Sequence, residues 1–186
     1  MRQAKAVAAA GRFRREDWLE LGLRQLVEHG RAGLTLERMC EAAGRTRGSF
    51  YHHFPDHAAF VAALLDGWRE RQTEAVIAAV ERAGTERLGS LHELASALDH
   101  ALDTAVRRYA AAEPLARDAV AAVDARRIDF LAELYAAEHE LPPARARRVA
   151  ELEYALFVGM QVLWPERDPE EIVAYKRLMH ALVTSV

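Results

Sequence analysis

Residues 33–60 read GLTLERMCEAAGRTRGSFYHHFPDHAAF, and the punctuation of this stretch decides the fold. Thr35 can cap a short helix running to about Ala42, because its hydroxyl can accept from a free first-turn amide. Gly44 stops that helix. Thr46 can cap a second one ending near His53. Pro55 then breaks the chain, and Asp56 can cap the next helix. Two short helices joined by the glycine-containing turn AAGRT make a helix-turn-helix. The charge fits such a unit. Residues 43–57 hold two arginines and three histidines, and no acid lies between Glu41 and Asp56.

A helix-turn-helix lays its second helix in the DNA major groove, with the N-terminal residues toward base edges. Free amides and a partial positive charge at that end attract phosphate. Arg45, Thr46, Arg47 and Ser49 stand there. Arg47 carries a planar donor fork one residue into the helix, so guanine O6 and N7 are its expected partners. Arg45 can serve base or phosphate. Gly48 lets the helix approach closely. Thr46, Ser49, Tyr51, His53 and His57 are expected on phosphates, with Thr35 on the same DNA-facing side. His52, one turn past Gly48, can reach either. Tyr51 also fits a core role, and Phe50 and Phe54 fit the small core.

Outward from this stretch every apolar period is helical. Leu19, Gly22, Leu23, Leu26 and Val27 form one face of a helix that ends at Gly30. A long helix starts at His57 and fades near Gly84. Ser90 and Glu93 form a capping box that predicts a helix from there to about Ala112. Pro114 suits the first turn of the next. Pro142 and Pro143 mark a break before an apolar helix over 144–164, and a last helix begins after Asp168. The expectation is an all-α protein of about nine helices. Residues 1–56 form a DNA-binding head, and residues 57–186 form a body.

Composition bounds the rest. The 186 residues are 51% hydrophobic with a formal charge of −3, which suits a globular chain. Residues 1–57 hold 10 Lys/Arg against 7 Asp/Glu, while residues 58–186 hold 15 against 21. A basic front on an acidic body fits one part meeting a polyanion. The basic N-terminal stretch RQAKAVAAAGRFRR reads either as a solvated tail or as an arm to the adjacent groove. Its apolar run is too short for a signal peptide, and no run reaches the roughly 18 apolar residues of a membrane span. The expectation is a cytoplasmic protein with no membrane partner. Cys40 is the only cysteine, which excludes an internal disulfide and a multi-cysteine zinc site.

The stretch 33–60 resembles the DNA-binding region of the TetR family of bacterial transcriptional regulators. The family pattern falls on Gly33, Thr35, Ala43, Gly44, Thr46, Phe50, Tyr51, His53 and Phe54, and DWLELGLRQLVEHG matches the family's first helix. The resemblance covers about residues 14–65. Arg45 stands where the family has a small apolar residue, and His57 where it has a phosphate-contacting lysine. The resemblance implies a homodimeric repressor, without a cofactor, released from a palindromic operator by a small-molecule effector. It also implies a ligand cavity in the body, for which Trp68, Gln72, Leu98, Phe130, Tyr154, Phe157 and Gln161 are the candidate walls. No charge cluster stands out among them, so a mostly apolar effector is expected. His92 and His100 are expected on a solvated face. Gln161 is a lone amide in the apolar run YALFVGMQVLW and needs a partner in the protein or in a ligand.

The last two helices carry apolar residues on more than one side. Leu152, Leu156 and Leu163, with Ile172, Tyr175, Met179 and Leu182, are therefore expected at a homodimer interface. The alternatives are an all-α interaction protein, or an enzyme using the His52, His53 and His57 region. Against the latter, Pro55 interrupts helical pairing of His53 with His57. No phosphate loop, HExxH or paired nucleophile and base is present, and no metal is expected.

Overall fold

The computed structural model describes residues 13–166 and, beyond them, Glu171, Ala174, Tyr175, Leu178 and Ala181. Most of the basic N-terminal stretch, and with it the question of an arm, lies outside the described residues. So do Ile172, Met179 and Leu182.

The fold is all-α. Helix α1 is Arg15–His29, opened by Asp17, whose carboxylate accepts from the Arg14 amide at 2.6 Å. Gly30 closes it with a positive φ of 58°, and a 3-10 turn, Gly30–Leu34, leads to α2, Leu36–Ala43. Thr35 caps α2 by accepting from Arg38, and Gly44, at φ 60°, ends it in the left-handed region. Thr46 caps α3, Arg47–Tyr51, by accepting from the Ser49 amide. Asp56 caps α4, His57–Arg69, by accepting from Ala59 at 2.7 Å.

Helix α4 does not stop at Arg69. A π turn, Glu70–Glu74, carries its axis into α5, Ala75–Arg82. Then come α6, Arg87–Ser96, and α7, His100–Ala110. Two long helices, α8 (Pro114–Glu138) and α9 (Pro143–Leu163), pack along each other. Glu171, Ala174, Tyr175, Leu178 and Ala181 are helical as well.

One expectation fails in this region. Ser90 and Glu93 do not open a helix, and no single helix runs to Ala112. Helix α6 starts earlier because Glu138, on α8, accepts from the Leu88 amide at 3.2 Å and lies 3.8 Å from Arg87. It ends at Ser96, and Asp99 caps a new helix by accepting from Leu102 at 3.1 Å.

Head and body share one apolar core. Trp18, Phe50 and Phe54 of the head are at most 1% exposed and stack edge-on or tilted about one another. Phe60 of α4 closes this cluster, 5.2 Å from Phe50 and 5.1 Å from Phe54. The same cluster continues through Leu64 and Trp68 to Val106 and Tyr109 on α7 and Val123 on α8. A second cluster, around Ile77, Phe130, Leu134, Tyr135 and Val149, fills the far end of the body.

Two glycines set close approaches in the head. A Cβ on Gly22 would stand 2.4 Å from Leu64 Cδ1 and 2.8 Å from Phe60 Cζ. A Cβ on Gly33 would stand 2.3 Å from the Gln25 carbonyl oxygen, which is backbone and cannot swing away. Gly33→Ala should therefore lower stability by about 1–3 kcal/mol, the usual range for overpacking, and thermal melts will measure it. An unchanged melting temperature would mean the 3-10 turn yields freely.

Candidate functional site

The turn between α2 and α3 places the start of α3 on the surface. Arg45, Thr46, Arg47, Gly48, Tyr51 and His52 are exposed there, with Ser49 half-buried. Only Phe50 of this helix is buried. The Arg45 guanidinium lies over the Phe13 ring at 5.6 Å. The Tyr51 ring packs edge-on against Phe50 and is 49% exposed, so it presents its side chain to solvent and is not core. Gly48 needs no glycine for the chain's own sake. A Cβ there would meet only Thr46 Oγ1, at an ordinary 3.7 Å.

Three side chains are engaged in ways the sequence did not show. Arg47 forms an ion pair with Glu37 of α2, with both side chains well exposed. His57 Nε2 lies 2.7 Å from the Leu34 carbonyl, and His53 Nε2 lies 3.1 Å from the Phe13 carbonyl. A carbonyl only accepts, so both rings donate inward from Nε2 and leave Nδ1 as the remaining nitrogen. In this state His53 ties the end of α3 to the start of α1, and His57 ties α4 to the 3-10 turn. Thr35 and Thr46 use their hydroxyls as helix caps. Burial raises the Cys40 thiol above its ordinary value, with Arg47 opposing and Glu37 assisting, so the thiol is less ready to ionise. Among the described residues no group of three His, Cys, Asp or Glu side chains is placed to hold a metal ion, and no helix is long and apolar enough to cross a membrane.

The body holds a cavity of about 70 Å³ between the π turn, α5, α6, α8 and α9. Gln72, Leu98, Phe130, Tyr154 and Phe157 line it. Trp68 does not. It is fully buried beside the cavity, with the Arg127 guanidinium 5.6 Å over its ring. Gln161 does not either, since the twist of α9 turns it into a separate cleft.

The cavity wall is also more charged than the sequence implied, which corrects the expectation of no charge cluster. His92 faces inward, not to solvent, because its Nε2 donates to Glu153 at 2.6 Å. His100 is half-buried too, edge-on against Phe157 at 5.6 Å. The Tyr135 hydroxyl donates to the other Glu153 oxygen. Arg127 lines the same cavity and belongs to a network of four charges built around buried Asp103, with the other three half-buried. Arg107 donates to both oxygens of Asp124, at 3.0 and 2.7 Å, and to Asp103 at 2.8 Å. Arg127 donates to Asp103 at 3.0 Å, to Thr73 Oγ1 at 2.9 Å and to the Gln72 carbonyl at 3.1 Å. The Tyr154 hydroxyl accepts from Arg107 and donates to Asp124 at 2.6 Å.

Two acids balance two bases, so the buried charge is compensated. Arg127 also takes up a carbonyl of the π turn, where regular i→i−4 bonding is interrupted. Burial pulls the Arg107 guanidinium down, but the Asp124 hydrogen bond, Tyr154 and Asp103 outweigh it and hold the group above its ordinary value. Burial pushes Tyr154 up to about 12, with Arg127 and Arg107 opposing and Asp124 assisting. Burial and Glu153 hold Tyr135 far above the usual phenol range.

The geometry is that of a helix-turn-helix with an exposed, arginine-bearing second helix, on an all-α body with a cavity. Comparison with known proteins extends this. Residues 19–64 match the family described as bacterial regulatory proteins, tetR family. The chain is 38% identical over 64 residues to the transcriptional repressor AcnR of Corynebacterium diphtheriae, covering 34% of each chain. It is 34% identical over 76 residues to the transcriptional regulator TtgR of Pseudomonas putida, covering 41% of this chain and 36% of TtgR. These matches span only about a third of each curated relative's length. The solved structure of a transcriptional regulator from Pseudomonas aeruginosa PAO1 superposes with a TM-score of 0.75 at 19% identity, covering 92% of this chain and 90% of that one. A second, a TetR/AcrR family member, gives 0.66 at 18%, covering 89% and 97%. Those two likenesses establish the all-helical fold. The N-terminal part of the chain, residues 19–64, is thus similar to the tetR family of bacterial regulatory proteins.

Three outcomes test this geometry. Gly48→Ala should raise stability by up to ~1 kcal/mol, because glycine is the poorer helix former and a Cβ there meets nothing closely. Loss of melting temperature would show that the chain itself needs the glycine. Arg127→Met should cost about 1.5–3 kcal/mol, since buried Asp103 loses one of its two guanidinium partners and keeps Arg107. A denaturant titration will show whether it does. Tyr154 contributes to the alkaline limb of stability, together with Tyr135 and Tyr109, which burial also raises. Its folded value lies above the ordinary 10, so its contribution is complete below pH 10 and is lost as pH rises to about 12. Melting temperature should fall across that window, and Tyr154→Phe should flatten the decline.

Proposed function

We propose that this protein is a ligand-responsive repressor that binds a palindromic operator as a homodimer and is released by a small molecule in the central cavity. The observation that carries the reading is the exposed start of α3. It presents Arg45 and Arg47 beside an open Gly48, with no acid of its own helix nearby. Arg47 reads guanine, and Arg45, Thr46, Ser49, Tyr51 and His52 fix the register on phosphates. In this account residues 1–56 read DNA and residues 57–186 bind the effector and the second subunit, in the cytoplasm.

His53 and His57 keep Nε2 on backbone carbonyls, so each can donate outward only through a protonated Nδ1. Their phosphate contacts are therefore weaker than a lysine's. The dimer face is the stripe of α9 carrying Leu152, 60% exposed, half-buried Leu156, and Leu163, 66% exposed. Exposed Tyr175 and Leu178 stand on the segment beyond α9, and by sequence Ile172, Met179 and Leu182 continue it. Two such pairs make a four-helix bundle across a two-fold axis.

The effector is mostly apolar with one polar end, matching aliphatic and aromatic walls that open on His92, Glu153 and Arg127. It acts by preferring a body whose two heads no longer match the groove spacing, because only differential affinity shifts such an equilibrium.

Fluorescence anisotropy with labelled duplexes tests this. Affinity should be highest for a palindrome with half-sites roughly 34–36 Å apart, and log affinity should fall linearly with log salt. Arg47→Ala should cost about 1–3 kcal/mol on that palindrome and relax one base pair per half-site. An equal loss on random DNA would make Arg47 a phosphate contact. The double variant Leu152→Glu, Leu156→Glu should sediment as a monomer and bind DNA weakly. A dimer that persists would move the interface elsewhere.

A further inference from the structure

A second cleft, of about 460 Å³, opens where the head meets the body. Val27 of α1 forms one wall, Ala101, Thr104, Ala105 and Arg108 of α7 a second, and Gln161 and Trp164 at the end of α9 a third. It lies apart from the central cavity and shares no lining residue with it. Residues 101, 104, 105 and 108 are spaced i, i+3, i+4, i+7, so they form one helix face.

Gln161 is 7% exposed, yet its Nε2 has no hydrogen-bond partner. A buried amide donor left unmade is costly and calls for an acceptor. Arg108 is exposed on the same cleft and forms no ion pair among the described residues. The cleft wall thus brings together one buried amide without a partner and one solvated cation. Trp164, 45% exposed, adds a flat apolar surface, and the two alanines keep the opposite wall low. Glu166 stands exposed at the rim and disfavours a second negative charge on an occupant.

We infer that this cleft is a second small-molecule site, which takes a flat apolar monocarboxylate, with the carboxylate between Arg108 and Gln161 Nε2 and the apolar part against Trp164. Because one wall belongs to the head helix α1 and the others to the body, occupancy braces the head against the body.

Isothermal titration of the full chain with 2-naphthoate, without DNA, tests the inference independently of any operator. One saturable site per chain is expected, with the neutral isostere 2-naphthalenemethanol about tenfold weaker, as expected when a charged hydrogen bond is removed. Arg108→Ala should weaken naphthoate by about the same factor. Gln161→Met should weaken it too, while melting no lower than the parent, since it removes an unmet donor. Val76→Phe, which crowds the central cavity, should leave binding unchanged. The inference is overturned by any of four results: no saturable heat, equal affinity for acid and alcohol, indifference to both Arg108→Ala and Gln161→Met, or loss in Val76→Phe. A lower melting temperature in Gln161→Met would overturn it as well, by showing that the amide already has a partner.

Discussion

At Gly22, α1 lies against the side-chain ends of Leu64 and Phe60 of α4, where an added methyl group would force them to shift. The helices come close enough there for Phe60 to enter the head and close the ring of aromatics around Phe50. Without Phe60 the head would have an open core, and a three-helix unit of this size is too small to tolerate that. The head is therefore not a passenger on a flexible neck. Its orientation is that of α4, so a turn of α4 would carry α3 with it.

The other end of α4 is fixed by a different force. The π turn interrupts regular bonding, and Arg127 answers by donating to the Gln72 carbonyl and the Thr73 hydroxyl. Its remaining donors reach Asp103 on α7. Apolar packing alone could fill the same volume, but it would not choose one register of the turn over another. A planar fork with fixed acceptors does choose. The same guanidinium lines the central cavity, so the group that sets the register of α4 is also one that an occupant would touch. That coupling needs no long chain of intermediates. One side chain spans the distance from cavity to lever.

Legibility in the sequence tracked the range of the interactions. The head could be read because its boundaries are local. Thr35, Gly44, Thr46 and Asp56 each act on residues within a few positions, so their side chains announce the helix ends they make. The body could not be read so well. Ser90 and Glu93 have the spacing of a cap, but the start of α6 is set by Glu138, 50 residues away from Leu88. The π turn leaves no local signature in ERQTE. The network of Asp103, Arg107, Asp124 and Arg127 is spread over two helices and looks like ordinary surface charge until the helices are packed together. His92 was misplaced for the same reason, because only the arrival of Glu153 makes its face an inner one. Of the expected walls, Leu98, Phe130, Tyr154 and Phe157, with the amide of Gln72, line the cavity, whereas Trp68 and Gln161 depend on helix phase.

The reading edge shows how weak forces can serve discrimination. Arg47 in the free protein is paired with Glu37, and since both are exposed the pair is worth at most about 1 kcal/mol. That is too little to hold the arginine against guanine, where a bidentate contact contributes about 1–3 kcal/mol. It is comparable to what a single loose phosphate contact offers. In the proposed reading Glu37 competes for Arg47, and a bidentate guanine contact overcomes it. It does so without an acid on the reading helix itself, so the approach of the backbone phosphates is not opposed. The two histidines complete the logic. Each spends Nε2 on a carbonyl of the head, which stiffens the frame that presents Arg47 and leaves phosphate attraction to the arginines and to the free amides at the start of α3. In the proposed reading the groups that hold the shape of the head and the groups that meet DNA are largely different atoms, so base discrimination at Arg47 can change without loss of the frame.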